Sequence, residues 1–122
     1  MNNFLEYQNA AQRTLPILLE GKDNINHMLF GLMTEVGELV DTHKRALAYK
    51  TELDMLNIEE EMGDILWYLA GLATFYKLSL NNVASKNIAK LRTRFPEKFE
   101  EVLAVNRNTD EERKTLNKQI GT

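Results

Sequence analysis

A helical pattern fills the part of this chain that lies between its two prolines, Pro16 and Pro96. Within it, large apolar residues recur at alternating steps of four and three: Ile58, Met62, Ile65, Leu69, Leu72 and Tyr76. This seven-residue repeat is the pattern with which helices pack against one another in bundles. No stretch sustains the alternation of apolar and polar residues that is typical of a half-buried strand. The sequence therefore predicts an all-α helical bundle without a sheet.

Breaker and capping residues divide the pattern into separate helices. We predict helices at about residues 2–14, 24–49, 52–77, 80–94 and 109–119. Ser79 can cap the fourth helix, and residues 109–112 resemble a capping box at the start of the fifth. Because residues 50–54 form a short connection, we expect the second and third helices to be antiparallel neighbours.

Length and composition limit the kind of protein that this chain can be. A chain of 122 residues, with 43% hydrophobic and 27% charged residues, is predicted to form a single globular domain over residues 1–122. A net charge of −3 argues against general nucleic-acid binding, and the absence of cysteine excludes thiolate zinc sites. We find no signal peptide and no apolar run that could span a bilayer. The expectation is a cytoplasmic protein without a membrane partner.

Two acidic pairs stand inside the two longest predicted helices. Glu35 and Glu38 belong to the second helix, and Glu61 and Asp64 to the third. Since each pair is spaced i, i+3, its carboxylates share a helix face, where like charges cost about 0.2–0.5 kcal/mol. A divalent cation would offset that repulsion, and four carboxylates suit Mg²⁺ or Mn²⁺ better than zinc or copper.

Two other interpretations of the acidic pairs compete with a magnesium site. A di-iron bundle needs a histidine three residues after a glutamate on two helices, and neither pair offers one. The pairs could also be solvated helix faces, where such spacing is frequent. Each pair, however, interrupts an apolar stripe and encloses a glycine, Gly37 or Gly63, which costs a helix about 1 kcal/mol against alanine.

The acidic pairs and their surroundings resemble the MazG family of all-α nucleoside triphosphate pyrophosphohydrolases. The family signature is ExxE followed after a gap by ExxD, and this chain has TEVGELVD at residues 34–41 and EEEMGDILWYLAGLA at residues 59–73. The stretch KLRTRFPEKF at residues 90–99 is similar to a basic segment of many members. The resemblance covers about residues 24–99. It implies hydrolysis of the α–β phosphoanhydride to a monophosphate and pyrophosphate, in the cleaning or adjustment of nucleotide pools.

The resemblance also implies roles for individual residues. It maps the Mg²⁺ ligands, with Mn²⁺ as a substitute, onto Glu35, Glu38, Glu61 and Asp64. A carboxylate that the metal does not fully use can take the proton of the attacking water, and we predict Glu38 for this catalytic role.

Substrate contacts are predicted on the third and fourth helices. Lys90 and Arg94 are spaced i, i+4 with Asn87 one turn earlier, and relatives use residues of this helix to contact phosphates. An exposed basic helix face is the alternative interpretation. Tyr68, four residues after Asp64, lies on the acidic face and is predicted to touch sugar or base.

The chain carries one motif set, so it resembles the single-domain MazG type. Two long helices cannot cover their own apolar faces, and we expect a homodimer or homotetramer. Competing activities are those of phosphoribosyl-ATP pyrophosphohydrolase and the dimeric dUTPases, and a non-catalytic metal-binding helical oligomer is a further alternative. No residue of the sequence names the preferred base.

Overall fold

A computed structural model describes residues 3–16 and 22–118, and its regular structure is helical throughout these ranges. The six helices are α1 (Phe4–Gln12), α2 (Lys22–Tyr49), α3 (Met55–Phe75), α4 (Leu80–Arg94), α5 (Glu101–Val105) and α6 (Thr109–Lys118). The all-α prediction is confirmed, and the short helix α5 was not predicted. Asn2 and Gln119, the outermost residues of the predicted first and last helices, lie outside the described ranges.

The chain forms two compact units, Met1–Lys77 and Leu78–Thr122. The first unit contains α1, α2 and α3, and with them both acidic pairs. The second unit contains α4, α5 and α6. None of the described helices is long and apolar enough to cross a membrane.

Close helix contact in the first unit depends on two glycines. A Cβ atom added to Gly31 of α2 would lie 2.1 Å from Cε1 of Tyr68 on α3. One added to Gly71 of α3 would lie 2.2 Å from Cε of Met28 on α2, whose side chain is 1% exposed. Residue numbers rise along α2 as those of their partners fall along α3, so the two helices are antiparallel, as predicted.

Helix α1 packs against α3, in part through a hydrogen bond between side chains. Nε2 of the buried Gln8 donates to Oγ1 of Thr74 at 3.2 Å. Just beyond α1, Oγ1 of Thr14 accepts a hydrogen bond of 2.8 Å from Nε1 of Trp67. These bonds attach the N-terminal helix to the helix that carries the second acidic pair.

Capping residues explain where the helices begin. Asp54 accepts a hydrogen bond from the backbone N–H of Asn57, so α3 starts at Met55, three residues later than predicted. Ser79 caps α4 as predicted. The prediction for α6 was wrong in detail, because the side chain of Asn108 accepts from the N–H of Glu111 and provides the cap.

A buried acid joins α4 to α6 in the second unit. Glu112 of α6 is 3% exposed, and its carboxylate oxygens form ion pairs with the guanidinium groups of Arg94 of α4 and Arg107, each with an N···O distance of 2.7 Å. Thr93 and Thr115 add a hydroxyl–hydroxyl bond of 2.8 Å. The predicted polar helix therefore packs through ionic and polar contacts, which explains its sparse apolar content.

The seven-residue repeat of α3 is covered on one side. Leu72 is buried, and Ile58 and Ile65 are half-buried, as the bundle prediction requires. The other members, Met62 and Leu69 along with Tyr76, are exposed to solvent. The helices of the first unit therefore leave half of this repeat exposed, in line with the expectation that two long helices cannot cover their own apolar faces.

Candidate metal centre

Three carboxylates from α2 and α3 meet in the first unit. Oxygen atoms of Glu35, Glu38 and Glu61 all lie within 4.8 Å of one another. The i, i+3 spacing on α2 presents two of them from one helix face, and the antiparallel packing brings the third opposite. The structure thus brings together three of the four residues that the sequence suggested as metal ligands.

The carboxylate cluster is partly shielded from solvent. Glu61 is 6% exposed, Glu35 is half-buried and Glu38 is exposed. Among the described residues, no hydrogen-bond partner reaches the buried Oε2 atoms of Glu35 and Glu61. Because a buried acceptor without a partner is costly, two such oxygens in one cluster indicate a site for a cation.

Burial, together with the neighbouring acids, raises the pKa of two of these acids. Burial, the close approach of the Glu61 carboxyl group, and the charges of Glu38 and Asp64 raise the pKa of Glu35 to about 7. Burial is also the main reason why the pKa of Glu61 is raised. The cluster therefore holds a proton near neutral pH when nothing else neutralises it.

Asp64, the fourth predicted ligand, lies outside the cluster of three within the described structure. It is half-buried one turn beyond Glu61, and its charge contributes to the raised pKa of Glu35. The pKa of Tyr7 and that of Tyr68 are raised first by burial and then by nearby acids, among them Asp64. Asp64 thus lies where the acidic face meets two tyrosines, one from α1 and one from α3.

Tyr68, the predicted sugar or base contact, borders the acidic face. Its half-buried ring packs against Gly31, and Trp67 meets it edge-on at 5.0 Å between ring centroids. The charges of Glu35 and Asp64 help to raise the pKa of its hydroxyl. The side chain is therefore near the carboxylates, as the helical spacing predicted.

A cavity of about 480 Å³ opens on the other side of the cluster, between α2 and α3. Glu38 and Glu61 form part of its wall, together with Thr42, Arg45 and Asn57. Sequence reasoning missed these last three residues. Helical spacing could have suggested Asn57 and Thr42, because each lies four residues from an acid of the cluster.

The predicted phosphate contacts all belong to the second unit. On α4, Asn87 is exposed and Lys90 is half-buried. Arg94 is paired with Glu112 through Nε at 2.7 Å and a terminal nitrogen at 3.3 Å. The Glu112 carboxylate raises the pKa of Arg94, so this arginine stays charged while two of its donors are used. The phosphate-binding role of these three residues stays a prediction.

Comparison with known proteins identifies the family. The MazG nucleotide pyrophosphohydrolase domain matches residues 24–99, which is more than half of the chain. The chain belongs to the MazG family. Gene 37 protein of Mycobacterium phage L5 is 30% identical over an alignment of 76 residues that covers 59% of this chain and 67% of that protein. No solved structure matches the chain. The family recognised from the ExxE and ExxD motifs is thereby confirmed.

Membership in the MazG family indicates a general activity for the chain. It supports nucleotide pyrophosphohydrolase activity on a nucleotide substrate, and MazG proteins typically depend on a divalent metal. The residues of this MazG domain fit such an ion, since the cluster offers hard oxygen ligands and two buried oxygens without a partner.

Proposed function

We propose that this MazG protein hydrolyses nucleoside and deoxynucleoside triphosphates at the α–β phosphoanhydride, giving a monophosphate and pyrophosphate. Mg²⁺, or Mn²⁺ in its place, would be held by Glu35, Glu38, Glu61 and Asp64. The observation that carries the proposal is the carboxylate cluster with its two unpartnered buried oxygens. The biological role that fits this reaction is the cleaning or adjustment of nucleotide pools in the cytoplasm.

The carboxylates have different tasks in this proposal because their surroundings differ. An ion held by these carboxylates would neutralise triphosphate charge and lower the pKa of the attacking water. Glu61 is buried and suited to holding the ion. Glu38 is exposed and lines the cavity, so it can reach solvent and take the proton of the attacking water.

The triphosphate also needs cations and a surface for its nucleoside. We propose, from the family resemblance, that Asn87, Lys90 and Arg94 contact phosphate oxygens, because metal alone leaves phosphate charge unpaired. We assign Tyr68 to the sugar or base, and its position at the border of the acidic face supports this.

The apolar surface of the first unit supports a homodimer or homotetramer. On α2, Phe30, Met33 and Val40 are exposed by 70%, 75% and 60%, and on α3 Met62 and Leu69 are exposed as well. Exposed apolar residues in such number mark an interaction site rather than an ordinary surface. A second copy of this chain would cover them with a matching helix pair.

The test is hydrolysis of a panel of ribonucleoside and deoxyribonucleoside triphosphates with Mg²⁺, with pyrophosphate and phosphate measured separately. We expect pyrophosphate and monophosphate from one or several bases. The Glu38→Gln variant should lose about 10²–10⁴-fold in kcat, the usual contribution of a general base. Glu59→Gln is the matched control, since Glu59 is an exposed glutamate of α3 outside the carboxylate cluster.

Other outcomes would replace the proposal with one of its alternatives. Turnover of dUTP alone would favour a dUTPase-like activity, and turnover of phosphoribosyl-ATP alone would favour that pyrophosphohydrolase. Metal binding without turnover of any substrate would indicate a non-catalytic metal-binding oligomer. Equal activity of the wild type and the Glu38→Gln variant would remove Glu38 from the catalytic role.

A further inference from the structure

A short chain of hydrogen bonds connects α2 to the most buried carboxylate of the cluster. Oγ1 of Thr42 donates to Oδ1 of Asn57 on α3. Nδ2 of Asn57 in turn donates to Oε1 of Glu61 at 3.3 Å. Asn57 and Thr42 are both half-buried and line the cavity beside the cluster.

The donors and acceptors allow only one arrangement of this series of hydrogen bonds. An ionised carboxylate only accepts, so the amide nitrogen of Asn57 has to face Glu61 and its oxygen has to face Thr42. A hydroxyl that donates to the oxygen therefore selects the correct orientation of the amide. The Thr42 hydroxyl oxygen also lies 3.2 Å from the carbonyl oxygen of Glu38, within its own helix.

The two carboxylate oxygens of Glu61 therefore differ in their contacts. Oε1 accepts from Asn57, whereas Oε2 is buried and has no hydrogen-bond partner among the described residues. The donor is a neutral amide, so it orients the carboxylate without cancelling the negative charge that a cation needs. A lysine at the same place would compete with the metal.

We infer that Asn57 and Thr42 are positioning residues that hold Glu61 with its second oxygen free for the metal. The inference rests on the proposed metal site and adds two residues that do not touch the ion. Groups that orient a metal ligand in this way typically contribute about 10–100-fold to metal affinity.

The experiment is Mn²⁺ and Mg²⁺ titration by calorimetry without nucleotide. We expect Asn57→Ala to bind about 10–100-fold more weakly than the wild type, and Thr42→Val to weaken binding as well. Thr42→Ser keeps the hydroxyl and should restore the affinity. Because both residues act through one chain, the double variant should bind no more weakly than Asn57→Ala alone.

Thr34→Val is the matched control. Thr34 is an exposed threonine of α2 whose hydroxyl donates to the carbonyl oxygen of Gly31 at 2.8 Å, so its replacement removes only a bond within the helix. It should leave the affinity unchanged. If Asn57→Ala fails to fold, the positioning role is tested by comparing the metal affinity of Thr42→Val with that of Thr42→Ser and that of Thr34→Val.

Each contrary result identifies what has failed. Metal binding by the wild type with unchanged affinity in both Asn57→Ala and Thr42→Val would overturn the positioning roles and leave the metal site standing. Equal losses in Thr42→Val and Thr34→Val, or additive losses in the double variant, would also overturn them. No metal binding by the wild type would overturn the metal site and this inference together.

Discussion

Metal binding by the carboxylate cluster should depend on pH near neutrality, because metal and proton compete for Glu35. Burial, the close approach of the Glu61 carboxyl group and the charges of Glu38 and Asp64 raise the pKa of Glu35 to about 7. A carboxylate has to be ionised before it can ligate a cation. Each bound ion therefore displaces the proton that Glu35 would otherwise hold.

The size of the effect follows from that pKa. With a pKa of about 7, roughly one tenth of Glu35 is ionised at about pH 6 and roughly nine tenths at about pH 8. The affinity for Mg²⁺ should therefore rise about tenfold over this range, and binding at about pH 7 should release roughly half a proton per site.

Calorimetric titration in two buffers of different ionisation enthalpy measures the affinity and the released proton together. The Glu35→Gln variant cannot ionise at this position, so its weaker binding should lose most of the pH dependence. Glu59→Gln, at an exposed position of α3, should behave like the wild type. An affinity that stays constant from about pH 6 to about pH 8 without proton release would refute the reasoning.

The same raised pKa has a consequence for the stability of the metal-free protein. Between pH 4.5, the ordinary pKa of this acid, and about pH 7, native Glu35 keeps a proton that the unfolded chain has lost. The free energy of unfolding should therefore fall as the pH rises through this window. Thermal unfolding with a chelator at several pH values measures this fall in stability. Added Mg²⁺ should raise the melting temperature most at the upper end of this pH window.

Two further predictions concern stability. Two arginines lower the pKa of Glu112 to about 2, so its stabilising contribution should be lost as the pH falls from 4.5 towards 2. Glu112→Gln should lower the melting temperature at neutral pH and weaken this acid dependence, whereas Glu111→Gln, at an exposed position, should do neither. Met28→Ala should cost about 2–5 kcal/mol in urea unfolding, since this side chain is 1% exposed; a loss below about 1 kcal/mol would contradict its place in the core.

The sequence by itself determined the features that depend on neighbours along the chain. Helix α4 begins and ends where its cap and following proline predicted, because capping is a contact between adjacent residues. The pairing of Glu35 with Glu38 on one face follows from helical spacing alone. The resemblance of short motifs to the MazG family is likewise local, and the family match confirms it.

The tertiary structure decided everything that depends on the register between helices. Gly31 against Tyr68 sets how α2 and α3 align, and this alignment brings Glu61 to the α2 acids and Asn57 to Thr42. Spacing within one helix carries no information on which residue of another helix lies opposite. The burial of Glu61, and the raised pKa that follows from it, could therefore not be predicted without the register between α2 and α3.

Residues of one periodic pattern differ in burial, and the pattern itself does not predict which of them are buried. Leu72 and Met62 belong to the same apolar repeat, yet Leu72 is buried while Met62 is 57% exposed. In the same way, Arg94 belongs to a basic helix face, and only the packing of α6 shows that it pairs with Glu112. Periodicity states which residues share a helix face, whereas the neighbours that cover that face come from distant parts of the chain.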